Sequence, residues 1–181
     1  MPSVPGTIQG IDAQHIQRYE FARNIVRGRR VYDTACGCGY GSLILGAEHY
    51  VGMDYNAEAV AFANEFYGND DVVFLARDLQ AMSPNGQPFD VCVSFETIEH
   101  LPEPDKFLGW AVRHCHTFVG SSPIVQSCPQ SPFHVREYSI EEFRELLSRY
   151  WEHVDLFTQD GLTIRYPCQP DDLGNVIGVC W

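Results

Sequence analysis

The chain has 181 residues, a formal net charge of −12, and 45% hydrophobic and 20% charged residues. This length predicts a single domain, residues 1–181, with a sizeable core and a flexible lead-in at 1–10. No apolar run approaches the roughly 20 residues needed to cross a bilayer, and the amino terminus lacks the features of a secretory signal. Seven cysteines without a C-x-x-C pair favour a reducing, cytoplasmic setting.

The negative charge lies almost entirely after residue 30. Residues 1–30 hold five arginines against two acidic residues, or +3, and the rest carries 7 basic and 22 acidic residues, or −15. Nucleic-acid binding rests on Lys and Arg that neutralise phosphates, so an acidic body disfavours that class of partner. A small or cationic molecule fits better, and the oligomeric state is left open.

Strand-like and helix-like segments alternate along the chain. Helices are predicted at 12–27, 42–48, 57–67, 106–116 and 139–149. Strands are predicted at 31–36, 50–54, 72–76, 89–95, 124–127, 151–158 and 175–181. The apolar, continuous strands indicate a mostly parallel, seven-stranded sheet with helices on both faces, and ligands of such sheets lie at the carboxyl ends of the strands.

Three glycines follow the first strand in a Gly-x-Gly-x-Gly pattern, at Gly37, Gly39 and Gly41. Without a Cβ, such residues let the backbone turn tightly and approach a ligand closely. A dinucleotide fingerprint would place its third glycine one position later. Asp33 precedes the loop, where a carboxylate repels a phosphate but suits an ammonium group, so a nicotinamide dehydrogenase is disfavoured.

Acidic residues mark three successive strands. Asp33 lies in the first, Asp54 closes the second and Asp78 follows the third. Parallel strands bring all three toward one edge of the sheet. Together with the glycine loop, this pattern resembles the class I S-adenosylmethionine-dependent methyltransferases, and the resemblance implies their Rossmann-like fold.

The resemblance also implies the cofactor site for S-adenosyl-L-methionine. Gly37, Gly39 and Gly41 would pass beneath its methionine part. Asp54 would hold the ribose hydroxyls, since a carboxylate accepts two hydrogen bonds at once. Asp78 would take the adenine amino group.

Further residues are assigned to the same cofactor. The backbone of Leu79 would read the adenine ring, and Tyr55 would flank it. Arg18 and Tyr19, on the first predicted helix, resemble the cover over the methionine end, and Phe95 closes the fourth strand beside the site.

The segment 95–101 carries candidate catalytic residues. Many small-molecule methyltransferases have a similar Glu-x-x-Glu-His-Leu after the fourth strand, and residues 134–139 resemble a His-x-x-Glu-Tyr-Ser segment of sugar-modifying relatives. Glu96, His100 and His134 are therefore predicted at the mouth of the active site. Either imidazole can act as a general base because it titrates near neutral pH.

Two alternatives accompany this prediction. Glu96, Glu99, His100 and His134 resemble the divalent-metal set of small-RNA 2′-O-methyltransferases, although the main prediction contains no metal. A non-catalytic module that binds S-adenosylmethionine and regulates a partner is the other. The main prediction is an enzyme that methylates an oxygen or nitrogen of a small molecule, such as a sugar.

Overall fold

The computed structural model describes residues 10–83, 87–125 and 131–181, so the predicted lead-in lies almost wholly outside the described residues. The strands are β1 Arg30–Thr34, β2 His49–Asp54, β3 Val72–Ala76, β4 Phe89–Ser94, β5 Cys115–Pro123, β6 Val154–Asp160, β7 Thr163–Arg165 and β8 Asn175–Cys180. The helices are α1 Ala13–Val26, α2 Gly41–Leu45, α3 Ala57–Tyr67, α4 Pro104–His114 and α5 Ile140–Ser148. Short 3₁₀ turns occur at Leu79–Ala81 and Ile98–His100.

All strands form one sheet in the order β3-β2-β1-β4-β5-β8-β6-β7. Strands β1 to β5 run parallel, while β8 is antiparallel to both β5 and β6. From β1 the strand order proceeds to one edge of the sheet through β2 and β3, and then to the other side through β4 and β5. The switch point of this order lies between β1 and β4, and ligands of such sheets bind there. The predicted Rossmann-like α/β fold is confirmed.

The prediction of seven strands was wrong by one, because β7 adds an eighth. This strand covers three residues and pairs only with β6, from Thr158↔Arg165 to Asp160↔Thr163. Gly161, at φ +57°, forms the tight turn between them. Three residues in a loop rich in Pro, Asp and Gly are too few to give an alternating pattern in the sequence.

The fifth strand was predicted at 124–127 and lies earlier, at Cys115–Pro123. Ser, Gly and Pro at 120–123 are typical of a turn, which obscured it. In the fold this stretch is a central strand that pairs with β4 on one side and β8 on the other. Pairing on both sides outweighs the local propensity.

Local signals set two helices as expected. The Asn56 side chain accepts from Glu58 and Ala59 and so begins α3, and Ser139 with Glu142 forms a capping box at α5. Two apolar clusters, one on each face, enclose the sheet. Within the described residues, no helix is long and apolar enough to cross a membrane.

Candidate active site at the carboxyl edge of the sheet

The glycine loop after β1 packs directly against the sheet and its helices. Gly39 has φ +82°, and a Cβ there would lie 2.5 Å from the ring of Phe74. A Cβ on Gly41 would lie 2.4 Å from the ring of Tyr19. Gly37 has φ +54°, and a Cβ built there would have nothing within 4 Å. Glycine is therefore favoured at this position only by its backbone conformation.

Asp33 is fully buried beneath this loop. Its Oδ2 accepts a hydrogen bond of 2.5 Å from the hydroxyl of Tyr50 and one of 3.0 Å from that of Tyr19. Burial raises the pKa of Asp33 to about 7, against the two tyrosine hydrogen bonds, which lower it. Both tyrosines cover the carboxylate that was expected to face an ammonium group, and in this position it supports the loop from below.

Asp54 joins the tips of β1 and β2. Its Oδ2 accepts from the backbone N–H of Gly37 at 2.9 Å, and its Oδ1 accepts from that of Asn56 at 2.8 Å. Asp78 accepts from the N–H of Gln80 at 2.8 Å and begins the turn that contains Leu79. Both carboxylates are therefore held in fixed orientations at neighbouring strand ends.

A cavity of about 590 Å³ opens at this edge. It is lined by Ala35, Asp54, Tyr55, Arg77, Asp78, Leu79, Glu96, Thr97, His100, Leu101 and Phe133. The structure thus brings four predicted cofactor residues and two predicted catalytic residues to one cavity. The glycines, Arg18, Tyr19 and Phe95 lie outside its lining.

Glu96 follows β4 and lies at the cavity wall in a left-handed conformation, φ +51°. Its Oε1 accepts from the Ser121 hydroxyl at 2.7 Å and from the Asn175 amide at 2.6 Å. The Ser121 Oγ in turn accepts from the backbone N–H of Glu96 at 3.2 Å. Sequence reasoning missed Ser121 and Asn175, which reach the site only through pairing of β5 with β8.

Glu99 is 1% exposed, and neither of its carboxylate oxygens has a hydrogen-bond partner. Burial and then the charge of Glu96 raise the pKa of Glu99 to about 8. A buried carboxyl group of this kind is costly unless a ligand or a proton neutralises it.

Two imidazoles lie beside Glu99. The ring centroids of His100 and His134 are 4.9 Å apart, and His100 Nε2 is 4.0 Å from Glu99 Oε1. The backbone oxygen of Glu99 accepts from Val135 and Arg136, which ties the His134 segment to this point. Ligand atoms of Glu99, His100 and His134 all lie within 4.8 Å of one another, close enough to share one metal ion.

Arg18 is 5% exposed on the inner face of α1. Its Nη1 donates to Gln159 Oε1 at 2.7 Å, whereas its Nε is buried without a partner. The Gln159 amide also donates to the backbone oxygen of Gln14 at 2.9 Å, so β6 holds α1 over the sheet. Burial, followed by the charge of Arg18, lowers the pKa of the neighbouring His15 to about 4.

Comparison with known proteins identifies a family domain in the sequence and a fold shared with solved structures. Residues 33–117 match the family described as a methyltransferase domain. No curated protein sequence matches the chain.

Several solved structures share the fold at low sequence identity. A structure of the complex between the Haloferax volcanii Trm112 methyltransferase activator and the putative methyltransferase matches with TM-score 0.74 and 19% identity, over 92% of this chain and 89% of that chain. A possible histamine N-methyltransferase from Thermotoga maritima gives 0.72 and 14%, over 92% and 89%. The methyltransferase domain of the bacterial CtHen1-CN gives 0.69 and 19%, over 92% and 97%.

Proposed function

We propose that this chain, which belongs to the class I S-adenosylmethionine-dependent methyltransferases, transfers the donor's methyl group to an oxygen or nitrogen of a small polar molecule. The family makes it an enzyme with S-adenosylmethionine as methyl donor. The acceptor class and the residue roles are the proposed part. One observation carries them: a single cavity joins Asp54 and Asp78 to Glu96 and His100.

The residues around the glycine loop fit the donor. Asp54 and Asp78 face the cavity with their orientations fixed by backbone N–H groups, and Tyr55, 84% exposed, is free to flank a ring. Arg18 Nε, a buried donor without a partner, suits the methionine carboxylate. Tyr19 and Asp33 support the loop rather than touch the ligand.

S-adenosylmethionine supplies an electrophilic methyl group on a positively charged sulfur. The protein's contribution is to hold the acceptor in line with it, since positioning accounts for much of the barrier reduction in such transfers. Glu96 accepts a hydrogen bond or proton from the acceptor atom through Oε2. His100 lines the same cavity with an exposed ring, and His134 packs against it, so this pair can relay that proton to solvent.

The acidic surface and the cavity size support a small acceptor over a nucleic acid. The test uses radiolabelled methyl donor with two separate cell fractions, one of metabolites below about 1 kDa and one of total RNA. We expect label in the metabolite fraction only, and loss of it in Glu96→Ala with S-adenosylhomocysteine affinity within about twofold of wild type. Label in RNA alone contradicts the proposed acceptor. No label in either fraction favours the regulatory module.

The grouping of Glu99, His100 and His134 supports a second candidate, metal-dependent O-methyl transfer. Two imidazoles and a carboxylate suit Mn, Fe or Zn. Glu96 lies outside this group because Ser121 and Asn175 hold its carboxylate. We expect Mn²⁺ or Zn²⁺ to raise the melting temperature of the protein and His134→Asn to abolish that rise. Activity unchanged by EDTA, in protein free of bound metal, contradicts this candidate.

A further inference from the structure

The backbone at Glu96 is held in an uncommon conformation. Among the described residues only Ala35 and Glu96 combine a side chain with a positive φ. Such a residue costs about 1–2 kcal/mol relative to ordinary backbone and persists where its surroundings require it. Ala35 belongs to the glycine loop, whereas Glu96 stands alone at the end of β4, at the wall of the cavity.

The surroundings that hold Glu96 are two side chains from other strands. Asn175 Nδ2 and Ser121 Oγ both donate to Oε1, at 2.6 Å and 2.7 Å. Because both donors take the same oxygen, Oε2 is the one left for a ligand. The bond from Glu96 N–H to Ser121 Oγ closes a ring that fixes backbone and side chain together.

Asn175 is itself rigidly placed. It is the first residue of β8 and pairs with Pro123 of β5 and with Gln159 of β6. The preceding Gly174 has φ +97°, and a Cβ there would lie 2.0 Å from the backbone oxygen of Gln159. The chain therefore enters β8 along one narrow path, and the Asn175 amide is set by the sheet.

We infer that Asn175, together with Ser121, is a positioning residue that holds the Glu96 carboxylate so that Oε2 faces the point of methyl transfer. This inference rests on the proposed function. A carboxylate fixed before the reaction needs no reorganisation when charge shifts at the acceptor. Both residues lie beyond the stretch 33–117 that matches the methyltransferase domain, so the family match does not assign them.

The test needs no knowledge of the acceptor. Sinefungin is a donor analogue with an ammonium-bearing carbon in place of the methylsulfonium group, whereas S-adenosylhomocysteine carries nothing there. We expect the wild-type protein to bind sinefungin more tightly, because Oε2 pairs with the ammonium. Calorimetry should show sinefungin affinity about tenfold weaker in Asn175→Ala, with S-adenosylhomocysteine affinity within about twofold, as expected for a charge-assisted hydrogen bond.

Three further variants separate positioning from folding. Ser121→Ala removes the other donor and should weaken sinefungin selectively. Asn24→Ala is the matched control for Asn175→Ala, since it removes the same side chain at an exposed site on α1 and should change neither affinity. In a Glu96→Ala background, Asn175→Ala should have no further effect on sinefungin.

The outcomes distinguish this inference from the function on which it rests. Equal weakening of both ligands, an unchanged ratio of their affinities, or an effect of Asn175→Ala that persists without Glu96 each overturns the positioning role alone. Failure of the wild-type protein to bind S-adenosylhomocysteine overturns the proposed function and the inference with it.

Discussion

Buried polar groups are hydrogen-bonded on one side of the cavity, whereas several of them lack a partner on the other side. On the donor side, around the glycine loop, Asp33 and Asp54 accept hydrogen bonds from tyrosine hydroxyls and backbone N–H groups. On the acceptor side, around Glu96, several buried polar atoms lack a partner. They are both oxygens of Glu99, Ser94 Oγ and Ser122 Oγ.

This difference indicates how stability and function are divided. Native proteins leave few buried polar groups unpaired, and each one left costs about 1–3 kcal/mol. Apart from Arg18 Nε, the donor side satisfies its buried polar groups without a ligand, so the protein alone fixes the geometry of the proposed cofactor site. The acceptor side carries unmet hydrogen bonds that a ligand can satisfy, and this part of the fold gives up stability for binding.

The largest expected change in the free energy of unfolding comes from Gly39→Ala on the donor side, with Gly37→Ala as its comparison. Both glycines have positive φ, but only at Gly39 would the new Cβ collide with Phe74 and Ala63. We expect Gly39→Ala to lower the free energy of unfolding by about 3–5 kcal/mol, from overpacking and backbone strain together. Gly37→Ala should cost about 1–2 kcal/mol, from strain alone. Urea denaturation measures both, and equal losses would contradict the packing argument.

The next effect concerns the buried acid of the donor side. The unfolded chain releases the Asp33 proton near pH 3.8 and the native protein near pH 7. Between these values the native state binds more protons, so this group makes the free energy of unfolding fall as pH rises. Asp33→Asn should remove that part of the fall, about 4 kcal/mol. Denaturation at several pH values checks it, with the exposed Asp70→Asn as a control that keeps the wild-type slope.

The buried acid of the acceptor side is Glu99. Glu99→Gln removes the charge of a buried carboxylate without a hydrogen-bond partner at nearly constant shape, so we expect the free energy of unfolding at pH 8 in EDTA to rise by about 1–2 kcal/mol. If the metal-dependent candidate holds, methyl transfer should also be lost in this variant, because Glu99 is then a metal ligand. The exposed Glu65→Gln should change stability by less than about 0.5 kcal/mol. A loss of stability in Glu99→Gln would show that the carboxylate has partners in the folded protein.

The smallest expected change in the free energy of unfolding concerns the capping box that begins α5. Ser139 and Glu142 satisfy each other in the capping box of α5, directly after the His134 segment. Ser139→Ala should lower the free energy of unfolding by about 1 kcal/mol and leave S-adenosylhomocysteine affinity unchanged. Denaturation measures the free energy of unfolding and calorimetry measures the affinity. Weakened binding would place α5 within the site.

More of the geometry of the donor side than of the acceptor side follows from the local sequence, for a physical reason. The loop, Asp54 and Asp78 are each set by the strand that precedes them, so their spacing along the chain carries the geometry. Phe95 and Tyr19 were expected to touch the cofactor, but they lie outside the cavity lining.

The acceptor side depends on strands far apart in sequence. Asn175 contacts Glu96 although the two residues are 79 positions apart in the sequence, and no local sequence pattern predicts that contact. The short β7 and the displaced β5 escaped prediction because sheet pairing, and not local propensity, fixes them. The grouping of His100 with His134 followed from motif resemblance, whereas Glu96 is kept out of it by Ser121 and Asn175, which come from distant strands.

The position of β8 also has a consequence for how the molecule assembles. In the sheet β8 lies between β5 and β6, so β6 and β7 join the parallel strands only through it. During synthesis the β6–β7 hairpin is made first and has no docking edge until residues 175–180 arrive. A single protease cut in the connection 166–174 would disconnect that hairpin in sequence while leaving it hydrogen-bonded to β8, so digestion should give two fragments that stay associated until denatured.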